Sequence, residues 1–387
     1  MRGSVGSYDT KRGRRWQVVY DLPPGADGRR RQAKRRGFAT RRDAQAELRK
    51  ALAAADEGRH VDHSPQTLAD YLRAWLAGVA VKPTTLENYR TCAEAYAIPR
   101  LGGVKLQALT AEHIDALYRD LERSGRRDGG PLAPKSVRHV HTMLRRALQV
   151  AVERGHVVRN VADLAHPPSR TATRSKAARD KAWPAEQVRT FLAHVQGDRL
   201  YALWYLIATT GLRRGEALGL RWSDLDLDGG RLRVAQTVTV ADKRPVWSTD
   251  GKTGSAERTI ALDTSTVAVL RGHRKGQLAE RLAEGLSARP DRGLVFCWED
   301  GRPIHPDRAS TWFLRHCRAL GLPEIGVHGL RHSYATAALR AGVSPHVVSK
   351  RLGHASVAIT LDVYAHVFVG DDESAAEVAA AAILGVS

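Results

Sequence analysis

The stretch from Val327 to Val367 constrains the fold most, because its punctuation leaves room only for short helices. Gly342 follows an Ala-rich amphipathic run and reads as the residue just past a helix end, while Ser344-Pro345 reads as N-cap and first turn of the next helix. Gly353 ends that second helix, and Ser356 can cap a third that runs through Ile359, Leu361 and Val363 to Tyr364. If the first helix opens at His328, then His328 and Arg331, three apart, share one of its faces and aim an imidazole and a guanidinium at one spot. His354 is placed by the turn and Tyr364 by the third helix, with His366 two residues beyond. Such a spot suits a phosphate.

The bulk charge agrees. The chain has 387 residues, enough for about three domains, and its formal charge of +20 with pI near 10.3 calls for a polyanionic partner. Nucleic acid leads, with an acidic membrane surface second. No apolar run is long enough to span a bilayer, and the basic segment at residues 1–15 is not followed by the apolar stretch of a secretory signal, so a cytoplasmic, nucleoid-associated protein is expected. Cys92, Cys297 and Cys317 are scattered without a C-x-x-C, which argues against a disulfide framework or a cysteine zinc site.

Three segments emerge along the chain. Residues 1–60 begin with β-type runs at Val5–Tyr8 and Trp16–Tyr20, turns at Pro23–Gly25 and Asp27-Gly28, and then a helix from about Thr40 to Asp56. Eight of the fifteen residues from Gly28 to Arg42 are Lys or Arg, which suits a basic ribbon that neutralises phosphates. After a linker at Gly58–Ser64, residues 65–166 carry four apolar stripes at helical spacing: Leu68 to Leu76, Leu86 to Ala93, Ile114 to Leu121 and Val137 to Val152, with an exposed loop at Arg123–Pro134. His166–Lys181 has almost no apolar residue and reads as an extended linker. Residues 180–387 then give a helix after Trp183, a buried helix at Leu200–Ala208 ended by Gly211, and a short helix from Arg213 to Leu220. A long β run at Leu232–Val240 follows, then short strands near Pro245–Trp247 and Arg258–Leu262, and helices to the end, including an Ala-rich tail at Ser374–Leu384. The expected fold is multidomain and mainly α with small β-sheets: a small sheet-plus-helix domain, a helical bundle and a mixed α+β domain.

Five patterns occur in order: Thr210-Gly-Leu-Arg213-Arg-Gly-Glu216, Gly251-Lys252-Thr253 before Arg258–Leu262, His328-Gly-Leu-Arg331, Leu352-Gly353-His354, and Tyr364 ten residues after the LGH. Together they resemble the tyrosine recombinase (phage integrase) family. The resemblance covers the last two segments well and the first more loosely. It implies an arm-type DNA-binding domain (1–60), a core-binding SAM-like helical domain (65–166) and a catalytic domain (180–387). It further implies that Arg213, Lys252, His328, Arg331, His354 and Tyr364 are catalytic and that strands are cut and rejoined through a 3′-phosphotyrosyl link without ATP, metal or other cofactor. Implied partners are double-stranded DNA attachment sites, a homotetramer on two duplexes, and an excisionase or host DNA-bending protein. The tail helix would dock on a neighbouring subunit or pack on its own domain.

The chemistry has its own logic. Two guanidinium forks can grip the non-bridging oxygens of one phosphate, a lysine can protonate the leaving 5′-oxygen, and a phenol becomes a nucleophile when cations stabilise its phenolate. Arg214 competes with Arg213, and the motif's fourth position selects Arg213. Glu216, one turn on, is expected to pair with a basic side chain; His328 is expected to transfer protons near the nucleophile and His354 to donate to the phosphate. His332 and His366 have no role in this reading. Two alternatives remain at this point: a histidine zinc site, which lacks a matched carboxylate spacing, and a transcriptional regulator that uses Ser344–Val367 as a helix-turn-helix.

Overall fold

A computed structural model describes residues 2–11, 13–22, 31–56, 61, 63–169, 182–242, 244–248, 257–283 and 292–364, with isolated positions 376, 380, 383 and 384. The turns at 23–28, most of the two linkers, and the tail helix apart from those isolated positions lie outside the described residues. Contacts divide the chain into two compact units, Met1–Thr173 and Arg174–Ser387.

The first unit holds two buried clusters. In one, strands β1 (Gly3–Thr10), β2 (Gly13–Leu22) and β3 (Arg31–Phe38) form an antiparallel sheet in that order, backed by helix α1 (Arg41–Asp56). Gly37 has φ +103° and stands unpaired between Trp16↔Phe38 and Gln17↔Arg36, so it is the extra residue of a bulge, which glycine adopts without steric penalty. Val18 and Tyr20 bury against Ala44, Leu48 and Ala51 of α1. A Cβ on Gly3 would sit 2.5 Å from Leu48, so the helix lies directly on the strand. The basic run therefore includes a third strand, whose Lys34 and Arg36 are exposed, with Arg36 over the ring of Tyr8 at 5.6 Å.

The second cluster is the helical bundle. Helix α2 (Leu68–Gly78) starts with a capping box between Thr67 and Asp70. Helix α3 (Pro83–Thr91) continues through a π-helical stretch, Cys92–Ala97, into α4 (Ile98–Leu101), and α5 (Ala111–Ser124) and α6 (Pro134–Glu153) complete it. All four expected stripes face one core. The loop before α6 is less exposed than expected: its Leu132 turns inward, with the Leu132 N–H donating to the Leu121 carbonyl at 2.9 Å.

In the second unit, α7 (Ala185–His194) and α8 (Tyr201–Thr210) share an aromatic core in which Phe191 lies 4.9 Å and Trp183 5.5 Å from Phe313. The short helix α9 (Arg214–Gly219) follows. Strands β4 (Leu225–Asp226), β5 (Arg231–Val234) and β8 (Arg258–Ala261) make one sheet, while β6 (Thr237–Ala241) and β7 (Arg244–Ser248) make a separate hairpin. The expected continuous strand Leu232–Val240 is thus broken at Ala235-Gln236. The cause is α9: a Cβ on Gly215 would stand 2.3 Å from the Val238 carbonyl, so the β6 backbone lies on a glycine face of the helix, and Gln236 donates to the Gly219 carbonyl at 2.6 Å.

Helices α10 (Thr264–Ala283) and α11 (Pro306–Ala319) flank the core, and the chain then enters α12 (Val327–Arg340), α13 (Pro345–Leu352) and α14 (Val357–Tyr364). These are the three short helices read from the punctuation. Gly342 (φ +80°) and Gly353 (φ +66°) both take the left-handed conformation. Ser344 occupies the N-cap of α13 without a side-chain capping bond, so Pro345 with its pre-set φ carries that start.

Candidate active site

The site is built on carbonyl groups at two helix ends. Gly211 closes α8 in the left-handed region (φ +69°), and a Cβ there would meet Leu352 and Tyr334 at 2.6 Å each, so glycine is required by both backbone and packing. Its carbonyl accepts from Arg331 Nη1 at 2.8 Å, and Arg331 Nη2 donates to the Leu352 carbonyl at 2.8 Å. Arg331 is only 2% exposed, so its fork is held between the ends of α8 and α13. Arg213, the N-cap residue of α9, donates from Nη2 to the Gly353 carbonyl at 3.0 Å. Two N–H donors of each fork bind the protein, and the remaining ones suit ligand oxygens.

Glu216 ties these groups together. Its buried carboxylate accepts from the Arg213 backbone N–H (2.9 Å), from Arg213 Nη1 (2.7 Å) and from Arg258 Nη1 and Nη2 (3.1 and 2.9 Å). Burial would raise its pKa, but hydrogen bonds and charge from Arg258, with Arg213, outweigh that and hold it below the ordinary glutamate value. Arg258 also donates through Nε to the Arg351 carbonyl at 2.7 Å. A Cβ on Gly353 would lie 2.9 Å from the Arg258 guanidinium, which therefore packs on the LGH turn.

Tyr364 is buried, and its hydroxyl lies 2.8 Å from Nδ1 of His332. Burial pushes the phenol up to about 12, against the pull of Arg331. The His328 ring meets His332 edge-on at 4.8 Å. His328 keeps an exposed edge, but partial desolvation by the protein around its ring, then the neighbouring His332, Arg331 and Arg213, lower it to about 4. His354 is likewise lowered to about 4 by burial and then by Arg331 and Arg213, and its Nδ1 lies 2.8 Å from the Thr360 hydroxyl. Burial and Arg213 bring Arg331 down to about 9, so it remains a cation at neutral pH while both imidazoles are neutral.

Arg213, His328, Arg331, His354 and Tyr364 therefore converge, drawn from three separate stretches of sequence. Lys252 and His366 lie outside the described residues. Arg214 points elsewhere, donating to the Pro306 carbonyl at 3.0 Å and to the Ser310 hydroxyl on α11. Sequence reasoning missed Arg258 and His332. The only signal for His332 was its place next to Arg331, at i+4 from His328. The helix-turn-helix alternative finds no support, because the carbonyls ending α13 are bound to Arg331 and Arg213 and its following turn is part of the site.

Residues 182–370 match the phage integrase family, residues 6–55 an arm DNA-binding domain, and residues 67–121 a phage integrase N-terminal SAM-like domain. An integrase of Streptomyces ambofaciens is 30% identical over 94% of this chain and 92% of its own length. A tyrosine recombinase XerC-like protein of Caldanaerobacter subterraneus subsp. tengcongensis is 28% identical over 87% of this chain and 89% of its own. The fold is similar to that of lambda integrase, solved as a tetramer bound to a Holliday junction, with TM-score 0.56 and 19% identity over 90% of this chain and 95% of that one. A basic, multidomain chain with two guanidinium forks and a buried tyrosine in one site is of the DNA strand-transfer class. It belongs to the phage integrase family of tyrosine recombinases and is a site-specific DNA recombinase. Its partner is DNA. Among the described residues no helix is long and apolar enough to cross a membrane.

Proposed function

We propose that Tyr364 is the nucleophile that attacks a DNA phosphodiester, and that Arg213 and Arg331 grip its non-bridging oxygens. The observation that carries this reading is that Arg331 and Arg213 are anchored side by side on the Leu352–Gly353 turn, with the buried Tyr364 phenol near enough to feel the charge of Arg331. Attack forms the bond from Oη to phosphorus and breaks the bond to the 5′-oxygen, leaving a 3′-phosphotyrosyl link. Lys252 delivers a proton to that oxygen. His354, whose Nδ1 lies 2.8 Å from the Thr360 hydroxyl, donates a hydrogen bond from Nε2 to the phosphate. His328 serves proton transfer at the same phosphate. A 5′-hydroxyl from the partner duplex reverses the step, so bond energy is kept.

In this reading residues 1–60 bind arm-type DNA, 65–166 bind the core site, and 180–387 do the chemistry. The enzyme acts in the cytoplasm, on the nucleoid, as a homotetramer on two attachment sites. It moves a phage or integrative element, with an excisionase or host DNA-bending protein as accessory factor. The tetramer on a Holliday junction solved for lambda integrase supports the assembly.

The test is covalent joining to a nicked attachment-site duplex in the presence of a chelator. Wild type should join, while Tyr364→Phe should bind without joining. Arg213→Lys and Arg331→Lys, which keep charge but lose the fork, should each slow joining by about 100-fold or more while most DNA affinity remains. An adduct that persists in Tyr364→Phe would overturn the assignment.

A further inference from the structure

Building on Tyr364 as the nucleophile, we propose that His332 is a further catalytic residue, whose Nδ1 takes the phenolic proton as Tyr364 attacks phosphorus. The hydroxyl lies 2.8 Å from that nitrogen, within direct transfer distance, with the two rings 5.8 Å apart and inclined at 57°. Tyr364 is 2% exposed, so bulk water does not compete for the proton.

The imidazole is held in place from both sides. Its chain neighbours are buried and anchored: Arg331 donates to the Gly211 and Leu352 carbonyls, and the Ser333 hydroxyl accepts from the Trp183 N–H at 2.7 Å. Residues 328, 331 and 332 stand at i, i+3 and i+4 on α12, so one helix face presents imidazole, guanidinium and imidazole to the site. Of the two histidines on that face, His332 holds the phenol, and His328 packs its ring against His332.

A phenol pushed up to about 12 is ionised in on the order of one molecule in 10⁵ at neutral pH, so attack needs an acceptor in contact with the hydroxyl. The step balances as follows. The O–H bond of Tyr364 breaks and its proton moves to the Nδ1 lone pair of the His332 tautomer protonated on Nε2, giving an imidazolium. The bond from Oη to phosphorus forms, the bond to the 5′-oxygen breaks, and that oxygen takes a proton from the acid assigned to Lys252. In rejoining, a 5′-hydroxyl attacks and His332 returns its proton to Oη. A phosphodiester anion beside the imidazole stabilises its imidazolium form. Bound DNA therefore favours the transfer.

The experiment measures single-turnover joining of the full chain to the nicked duplex, with tyrosine or the more acidic 3,5-difluorotyrosine at position 364. His332→Phe keeps a ring without an acceptor, and His332→Asn offers an amide oxygen that accepts the phenol's hydrogen bond without taking its proton. Both should slow joining by about 10²–10⁴-fold at unchanged DNA affinity, and difluorotyrosine should restore much of the rate in each while changing wild type little. Joining by His332→Asn at the wild-type rate would reduce His332 to a hydrogen-bond partner. Failure of difluorotyrosine to rescue a variant that still binds DNA would make the loss structural. Either result overturns the proposal. Failure of wild type to join, or joining by Tyr364→Phe, would instead strike the nucleophile assignment on which it rests.

Discussion

One ion pair in each unit uses the same charged residue types under opposite physical conditions. In the helical bundle Arg73 pairs with Glu94 at 3.2 Å, but both side chains are about half exposed (57% and 45%). In the catalytic unit Arg258 pairs with Glu216 at 2.9 Å with exposures of 7% and 5%. Water screens the first pair and leaves it mobile, whereas the second has lost its hydration and is held by several hydrogen bonds. Exposed charge can follow a polyanion along its length; buried charge can be aimed at a single phosphate. A strand-transfer enzyme needs both, and among the described pairs only the catalytic unit holds one as buried as Arg258–Glu216, beside exposed pairs such as Arg233–Glu257.

Three experiments would sharpen or break that contrast. The largest effect is expected from Glu216→Ala, which leaves Arg258 buried without its carboxylate: unfolding free energy of the catalytic unit should fall by about 3–5 kcal/mol in urea titration. Arg73→Ala should leave the melting temperature unchanged. Equal losses in the two variants would show that burial is not what separates the regions.

A smaller effect concerns pH. His328 and His354 titrate near 4 in the folded protein, below the ordinary histidine value of 6.5. Between pH 6.5 and 4 the unfolded chain binds protons that the folded chain refuses, so stability present above about 6.5 is lost as pH falls through that window. Calorimetry should show the catalytic unit losing stability progressively across it, and the His328→Gln/His354→Gln double variant losing clearly less. A double variant with the wild-type slope would place the acid sensitivity elsewhere.

The smallest stability effect, and the most specific for affinity, lies in the ribbon. Lys34→Ala and Arg36→Ala touch no buried group, so melting should not move. DNA affinity should drop, and the slope of log affinity against log salt should shrink by about one for each phosphate left without its cation. Unchanged salt dependence would remove the ribbon from the DNA surface.

Much of this protein follows from local rules. Glycine and proline punctuation specified α12, α13 and α14 because φ > 0 and a missing N–H are properties of single residues, and apolar periodicity specified the bundle because helix faces are set by spacing. The fourth position of the family motif separated Arg213 from its neighbour Arg214, and the structure sends the two in different directions. The strand from Leu232 to Val240 had no local reason to break; only the approach of β6 to Gly215 and Gly219 on α9 divides it. Arg258 carried no readable mark and His332 only its place beside Arg331, since what distinguishes them is the distant group each touches: Glu216, 42 residues away, and Tyr364, 32 residues away. Sequence determined the elements, their ends and the residue types available for phosphate chemistry. Tertiary packing alone decided which cations lost their water and which imidazole met the phenol, because desolvation and hydrogen-bond distance depend on every chain segment that closes over a group.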